Sequence, residues 1–256
     1  MSIRATILGS GTCVPRLERS ACAVLVETGK SKILLDLGPG TIRQLLMAGV
    51  TIFDLTHLFL SHFHPDHTAE LVPLLFATKY PDGQRRKNPL TILGGEGLVQ
   101  FYKNLQAAYG NWIVLPDDQL VLREMSTLSG ETVQLEDVEL TTRPVRHRPE
   151  SLACRIQSRQ GVSIVYSGDT EECDALVRLA RQADLFICES ALPDALQAPG
   201  HSTPSLAGRM AERAEAKRLV LTHLYPPCEE VDIVKQAAST YKGQVTVAED
   251  LMSFEF

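Results

Sequence analysis

The sequence has few of the features that mark a secreted, membrane-spanning or disulfide-stabilised protein. Its six cysteines are widely spread and none forms a C-x-x-C pair, which argues against a disulfide framework and a structural zinc knuckle. No apolar run reaches transmembrane length, and the N-terminus lacks the basic, apolar and small-residue regions of a signal peptide. We therefore expect a cytoplasmic protein that does not use a membrane as a partner.

Positive charge is also scarce. The formal net charge is −6, and an acidic chain does not attract nucleic acid at long range. The densest positive segment, Lys79–Lys87, is typical of a solvated loop; the alternative is a loop that folds back over a functional site and receives a phosphate or an RNA strand. Tyr109 and Trp112 are candidates to stack on a base, with a core or interface position as the alternative.

The order of apolar runs predicts an α/β fold. Short runs such as Ala5–Leu8 and Lys32–Leu37 have the length of strands, and Asp66–Lys79 is predicted to be one helix. Each half of the chain has a β-rich section followed by helices, which favours two mixed sheets packed face to face with helices outside, a four-layer αββα sandwich. No linker divides the sequence, so we expect residues 1–256 to form one domain.

A dense group of ligand-type side chains follows the apolar strand Leu58–Leu60. His62 and His64 alternate along an extended chain and point the same way, whereas Asp66 and His67 project from the first turn of the next helix. One loop can therefore supply two neighbouring metal sites, and imidazole with carboxylate suits zinc, iron or manganese. The alternative is a solvated polar loop, which this density of histidines argues against.

Further ligands are needed to complete two sites, and the chain has only seven histidines. His147, Asp169 and His223 each follow an apolar strand, where the active-site residues of α/β proteins gather. Each residue alone is a weak signal, because a lone histidine is more often structural than a ligand. Together they supply the ligands that are missing.

The pattern resembles the hydrolases of the metallo-β-lactamase superfamily, whose H-x-H-x-D-H signature is met by His62–His67. The resemblance spans nearly the whole chain. It implies two divalent metal ions, zinc in the first place and manganese or iron as alternatives, with a hydroxide held between them as the nucleophile. The ligand set it implies is His62, His64 and His147 for the first metal, Asp66, His67 and His223 for the second, and Asp169 as the bridge.

Several segments resemble ribonuclease Z in particular, among them Gly9–Thr12, Leu35–Gly40 and Gly200–Thr203. The resemblance implies that His201 is catalytic and contacts the phosphate or the leaving group, as an alternative to a surface histidine that caps a helix. Asp66 is expected to be catalytic as well as a ligand.

Two further carboxylates are candidates for supporting roles. Glu189 is expected to orient His201 or a ligand histidine, with a surface carboxylate at a strand end as the alternative. Asp36 is expected to brace the ligand loop, with a turn-capping aspartate as the alternative.

One departure from ribonuclease Z concerns the substrate. There, a long arm that grips tRNA usually lies between the residues that match His147 and Asp169, which here are only 22 residues apart with a hairpin predicted at Ser151–Tyr166. This favours a phosphodiesterase for a small or cyclic phosphodiester, with nucleic acid as a less favoured partner. The alternatives are a tRNA 3′-processing endoribonuclease and a hydrolase of thioesters, lactones or aryl sulfates. Homodimers are frequent in the resembled branch, so a second copy of the chain is a candidate partner.

Overall fold

The computed structural model describes residues 2–80, 86 and 88–256, and these form two seven-stranded sheets. The first sheet, in spatial order, contains β14 (Ser253–Glu255), β1 (Arg4–Gly9), β2 (Ala23–Glu27), β3 (Lys32–Leu35), β4 (His57–Leu60), β5 (Leu90–Gly95) and β6 (Leu120–Met125). The second contains β13 (Gln244–Val247), β12 (Arg218–Thr222), β11 (Leu185–Glu189), β10 (Ser163–Tyr166), β9 (Leu152–Ser158), β8 (Val138–Pro144) and β7 (Thr132–Gln134).

The described residues form seven α-helices, and all but the short second helix pack on the outer faces of the sheets. They are α1 (Thr41–Met47), α2 (Pro65–Thr68), α3 (Leu71–Lys79), α4 (Leu98–Tyr109), α5 (Asp174–Leu179), α6 (Pro204–Arg213) and α7 (Ile233–Ala238). Short 3-10 turns lie at Gly110–Ile113, Asp194–Leu196 and Pro226–Glu229. Within the described residues, no helix combines the length and the apolar character needed to cross a membrane.

The alternation of side chains along the strands creates the layers. Phe59 of β4 and Tyr166 of β10 point into the core between the sheets, whereas Leu58, Leu60 and Val165 point outward. The outward residues of the first sheet pack against α1, α3 and α4, and those of the second against α5, α6 and α7. The predicted four-layer αββα sandwich is therefore confirmed.

Strand direction determines where functional residues can gather. Strands β3 to β6 run parallel to one another, as do β10 to β13. The carboxyl ends of parallel strands lie at one edge of a sheet, so the segments that follow β3, β4, β10, β11 and β12 can meet there. The hairpin predicted at Ser151–Tyr166 is confirmed as β9 and β10, with only residues 159–162 between them.

The prediction of a single helix over Asp66–Lys79 is wrong, because the helix is interrupted at Ala69 and Glu70, between α2 and α3. Proline has no N–H, so in a continuous helix Pro73 would leave the carbonyl four residues earlier without its donor. With α3 starting at Leu71, Pro73 lies in the first turn, where no intrahelical bond is lost. Because of this interruption, the Glu70 side chain points toward the start of α1.

The predicted basic segment is only partly within the described residues, since Arg85 and Lys87 fall outside them. Lys79 donates a hydrogen bond to the carbonyl of Asn111. Arg86 is buried and donates to the carbonyls of Ile52 and Leu55, and burial lowers its pKa to about 10. Arg86 is thus a structural cation rather than part of a solvated loop.

The aromatic residues proposed to stack on a base lie on the surface. Tyr109 and Trp112 are both exposed, and the Trp112 ring packs beside Phe76 and Tyr80 on the outer face of α3. The core part of the alternative is therefore wrong for both residues, and an interface position stays a prediction.

Glu70 is expected to stabilise the start of α1. Its carboxylate accepts hydrogen bonds from the backbone N–H of Gly40 at 2.7 Å and of Ile42 at 2.6 Å, which replaces the missing side-chain cap of that helix. Glu70→Ala should lower the free energy of unfolding by about 1–2 kcal/mol in urea titrations, and Glu70→Gln should lose less. A matched change at the exposed Glu230 should have little effect; equal losses for both alanine variants would contradict the assignment.

Candidate metal centre

Ligand-type side chains from both sheets meet at the carboxyl edge of the parallel strands. His62–His67 follows β4, Asp169 follows β10 and His223 follows β12, while His147 lies in the loop between β8 and β9. Six of the seven histidines of the chain lie in this cluster, and the structure brings together all seven residues predicted as ligands.

The first group of atoms surrounds one oxygen of Asp169. Oδ2 of Asp169 lies 3.7 Å from Nε2 of His62 and 3.8 Å from Nε2 of His147. Nε2 of His147 is in turn 3.2 Å from Nδ1 of His64. Three imidazoles and one carboxylate oxygen therefore face a common point.

The second group surrounds the other oxygen of the same carboxylate. Oδ1 of Asp169 lies 3.3 Å from Nε2 of His67 and 3.4 Å from Nε2 of His223. Oδ2 of Asp66 lies 3.5 Å from Nε2 of His223 and 3.9 Å from Nε2 of His67. Asp169 is thus shared between the groups, one oxygen to each, as expected of a bridging ligand.

These separations suit divalent cations. Tetrahedral ligands at about 2.1 Å from a metal lie about 3.4 Å from one another, close to the distances within each group. Among the described residues, several buried atoms of the cluster have no hydrogen-bond partner, namely Nε2 of His62, His67 and His223 and Oδ1 of Asp169. Buried polar atoms are rarely left without a partner, so the donor set fits metal ions.

The charges of the cluster are consistent with this fit. Burial and the neighbouring His67 lower the pKa of His62 to about 2, which keeps its imidazole in the neutral form that binds metals. Burial raises the pKa of Asp66, but contacts with His223 and His67 outweigh it and hold the pKa at about 2. Burial lowers the pKa of His67, whereas Asp169 and Asp36 raise it to well above its usual value. The carboxylates of Asp66 and Asp169 thus attract positive charge, which a divalent cation supplies when bound.

Asp36 orients two of the histidines. It is fully buried and accepts hydrogen bonds from the backbone N–H and the hydroxyl of Ser61, each at 2.7 Å, and from Nδ1 of His67 at 2.7 Å. Because the Ser61 hydroxyl donates to Asp36, it accepts from Nδ1 of His62 at 3.0 Å. Both histidines are thereby protonated on Nδ1 and present Nε2 to the cluster. The structure therefore favours the bracing role for Asp36 over a simple turn cap.

Glu189 and His201 form a pair beside the cluster. Nδ1 of His201 lies 3.1 Å from Oε1 of Glu189 and 3.9 Å from Oδ2 of Asp169. Glu189 is buried and also accepts from the backbone N–H of Thr170 at 2.7 Å, so the surface alternative for this residue is wrong. Burial lowers the pKa of His201, but the contact with Glu189 outweighs it and raises the pKa to about 9. His201 makes no cap on α6, and Glu189 contacts its Nδ1 rather than its Nε2.

The comparisons with known proteins identify the family of this arrangement. The profile of the β-lactamase superfamily domain matches residues 31–224. The chain belongs to the β-lactamase superfamily. The family predicted from the ligand motif is therefore confirmed.

Individual superfamily members resemble the chain over its whole length. Ribonuclease Z from Methanothermobacter thermautotrophicus is 26% identical in an alignment of 301 positions that covers 98% of this chain and 95% of the relative. The crystal structure of the human short-form tRNase Z has a TM-score of 0.79 at 26% identity and covers 98% of both chains. The metallo-β-lactamase fold protein YhfI from Bacillus subtilis has a TM-score of 0.85 at 23% identity, covering 100% of this chain and 99% of its own, which bears on the fold alone.

This superfamily member also has supporting residues that sequence reasoning missed. Ser61 and Tyr166 both donate to Asp36, and Tyr166 does so from the opposite sheet at 2.6 Å. Ser61 directly precedes the ligand motif, which is a signal that could have been used. Tyr166 ends a buried strand like many core residues, and nothing in its local sequence indicates its partner.

Glu171 is a third residue of this kind. Its Oε1 accepts the backbone N–H of Gly200 at 2.8 Å, and the carbonyl of Gly200 accepts from Nδ1 of His147 at 2.9 Å. Gly200 has a φ of +82°, and a Cβ there would lie 3.0 Å from Nδ1 of His147. Glu171 therefore holds the turn that orients His147 and leads into His201.

Glu171→Ala is expected to weaken metal binding about 10–100-fold, because the turn at Gly200 loses its anchor and His147 loses its orientation. Glu171→Gln keeps an acceptor oxygen and should retain most of the affinity. Titration of the apoprotein with zinc against a competing chelator measures the effect. The half-buried Glu172 makes its ion pairs, within the described residues, with Arg209 and Arg213, so Glu172→Ala is the matched control. Unchanged affinity in Glu171→Ala would rule out the positioning role.

Proposed function

We propose that this chain is a two-metal phosphodiesterase that acts on a small or cyclic phosphodiester, with zinc as its metal. The observation that carries the proposal is the division of six ligand-type side chains into two groups of three around the two oxygens of a seventh, Asp169. Membership of the β-lactamase superfamily and the ribonuclease Z relatives support metal-dependent hydrolysis.

The residues of each group would hold one cation. His62, His64 and His147 would bind the first, with Asp66, His67 and His223 for the second and Asp169 for both. When bound, a pair of divalent cations lowers the pKa of water to near neutrality and offsets negative charge on a phosphoryl oxygen. Asp36 and Ser61 keep two of the imidazoles in the tautomer that this binding requires.

His201 would act on the substrate rather than on the metals. Its contact with Glu189 retains positive charge on the ring beside Asp169. A cationic imidazole at this point stabilises charge that develops on the phosphoryl group or protonates the oxygen that leaves. Glu189 fixes the ring through Nδ1, which leaves the Nε2 proton for the substrate.

The loops favour a compact substrate. Between His147 and Asp169 the described chain consists of the short loop to β9, then β9 itself, the turn 159–162 and β10. The alignment with ribonuclease Z needs 301 positions for a chain of 256 residues, so that relative carries inserted residues. A substrate arm of the kind predicted for tRNA processing has no place in this interval.

Cleavage of precursor tRNA is the second candidate. It is favoured by ribonuclease Z, aligned to 98% of this chain, and by the human short-form tRNase Z, which matches it at a TM-score of 0.79. Hydrolysis of thioesters, lactones or aryl sulfates is a third candidate, because the ligand set alone suits these reactions too. A cytoplasmic location and a homodimer stay predictions from the sequence.

Asp169→Asn is expected to abolish retention of a full complement of two metals and to lower turnover of bis(p-nitrophenyl) phosphate at least about 100-fold. The substitution keeps the side-chain shape but removes the charge that both groups share. Metal content per chain is measured by elemental analysis after zinc, manganese or iron supplementation, with Asp118→Asn, an exposed surface change, as the control. Retained turnover with two metals would remove the bridging assignment; a wild-type protein that binds less than one metal per chain would overturn the proposal.

His201→Ala is expected to separate the three candidate activities. A general acid matters most for a poor leaving group, so hydrolysis of a cyclic nucleotide should fall about 100-fold or more, bis(p-nitrophenyl) phosphate less, and an activated carboxylic ester least. The same panel includes precursor tRNA, thioesters and lactones. His57→Ala, a change outside the cluster, is the matched control. Equal losses on phosphodiesters and carboxylic esters would contradict the role of His201, and preference of the wild type for precursor tRNA would favour the second candidate.

A further inference from the structure

Tyr225 lies at the edge of the metal centre, on a segment whose backbone is hydrogen-bonded to two neighbouring loops. It follows His223 and Leu224 beyond the end of β12. Its backbone N–H donates to the carbonyl of Ala191, and that of Leu224 donates to the carbonyl of Ser10. These contacts join the loops after β11 and β1 to the segment. The position of the Tyr225 backbone is therefore fixed.

The Tyr225 ring extends from the predicted ligands toward solvent. It stands edge-on to the ring of His223, with 5.9 Å between the ring centres and 79° between the planes. Its hydroxyl lies 3.3 Å from the thiol of Cys13, an exposed residue in the loop after β1. The hydroxyl is therefore placed at the rim of the site, within reach of a molecule that approaches the metals.

The hydroxyl of Tyr225 has a weaker partner than the other tyrosines packed in the fold. Tyr102 and Tyr241 donate to backbone carbonyls, and Tyr166 donates to a carboxylate. Among the described residues, the hydroxyl of Tyr225 contacts only the Cys13 thiol, and sulfur is a weak acceptor. An anionic oxygen would be a much stronger acceptor for the same proton.

We propose that Tyr225 is a substrate-binding residue whose hydroxyl leaves the Cys13 thiol and donates a hydrogen bond to a phosphoryl oxygen of the bound phosphodiester. This inference rests on the proposed phosphodiesterase function. The phenol would then contact the phosphoryl group beside the residues that would hold the metals, and the Cys13 thiol would lose the O–H donor that stabilises its reactive thiolate when the site is filled.

Tyr225→Phe tests the hydrogen bond while keeping the ring against His223. KM for bis(p-nitrophenyl) phosphate and the inhibition constant for inorganic phosphate should each rise about tenfold or more, with kcat changed less and two metals retained. Tyr241→Phe, which removes a hydroxyl that donates to the carbonyl of Ala216 in the apolar layer outside the second sheet, is the matched control and should have the constants of the wild type. Constants within twofold of the wild type would overturn the inference, as would loss of metal from Tyr225→Phe, which would assign the residue a structural role.

A second measurement does not depend on turnover. Alkylation of Cys13 by iodoacetamide is followed by mass spectrometry of its peptide, with and without inorganic phosphate, on the metal-loaded protein. Phosphate should slow alkylation of Cys13 about tenfold in the wild type, and the same concentration should protect Tyr225→Phe much less. Equal alkylation with and without phosphate in the wild type would overturn the inference.

The two measurements also separate the inference from the proposed function. If phosphate protects Cys13 through Tyr225 while no phosphodiester is hydrolysed, the proposed function fails and the role of Tyr225 in binding phosphoryl oxygens stands. If phosphodiesters are hydrolysed and neither Tyr225→Phe nor phosphate has the expected effect, the function stands and the inference fails.

Discussion

The buried carboxylate of Asp36 is the contact on which both the closure of the sandwich and the cluster depend. It directly follows β3, and it accepts hydrogen bonds from Ser61, His67 and Tyr166. Because Tyr166 ends β10, one carboxylate joins the first sheet to the second and orients His67 directly and His62 through Ser61. A buried charge without donors is very unfavourable. Assembly of the sheets and orientation of the ligands are therefore coupled.

Two residues of the site have a strained backbone conformation, whose cost the rest of the fold must offset. Asp36 and His223 both have positive φ, 60° and 57°, although neither is a glycine. Such residues cost of order 1–3 kcal/mol each and persist where packing over-determines them. Here that packing comes from the apolar core between the sheets and from the apolar layers on their outer faces. This backbone conformation directs the side chains of Asp36 and His223, which follow β3 and β12, toward the cluster.

Much of the fold and of the site could be predicted because their signals are local. Alternating apolar runs indicate strands, and histidines placed directly after such runs indicate the edge of a sheet where ligands gather. The extent of one helix was predicted poorly, since Pro73 interrupts the stretch after Asp66. Tyr166 and Tyr225 were missed because their hydrogen-bond partners, Asp36 and Cys13, lie in segments that are distant in the chain.

By itself the sequence determined the αββα architecture and the seven ligand-type residues, because periodicity and residue chemistry are written along the chain. It also determined the short interval between His147 and Asp169, which restricts the loops that can reach a substrate. Only the tertiary structure decided which oxygen of Asp169 faces which group, that Glu189 holds His201, and that Tyr225 stands at the rim. These relations depend on how two sheets pack against each other, and packing distances between remote segments are not encoded in any local pattern.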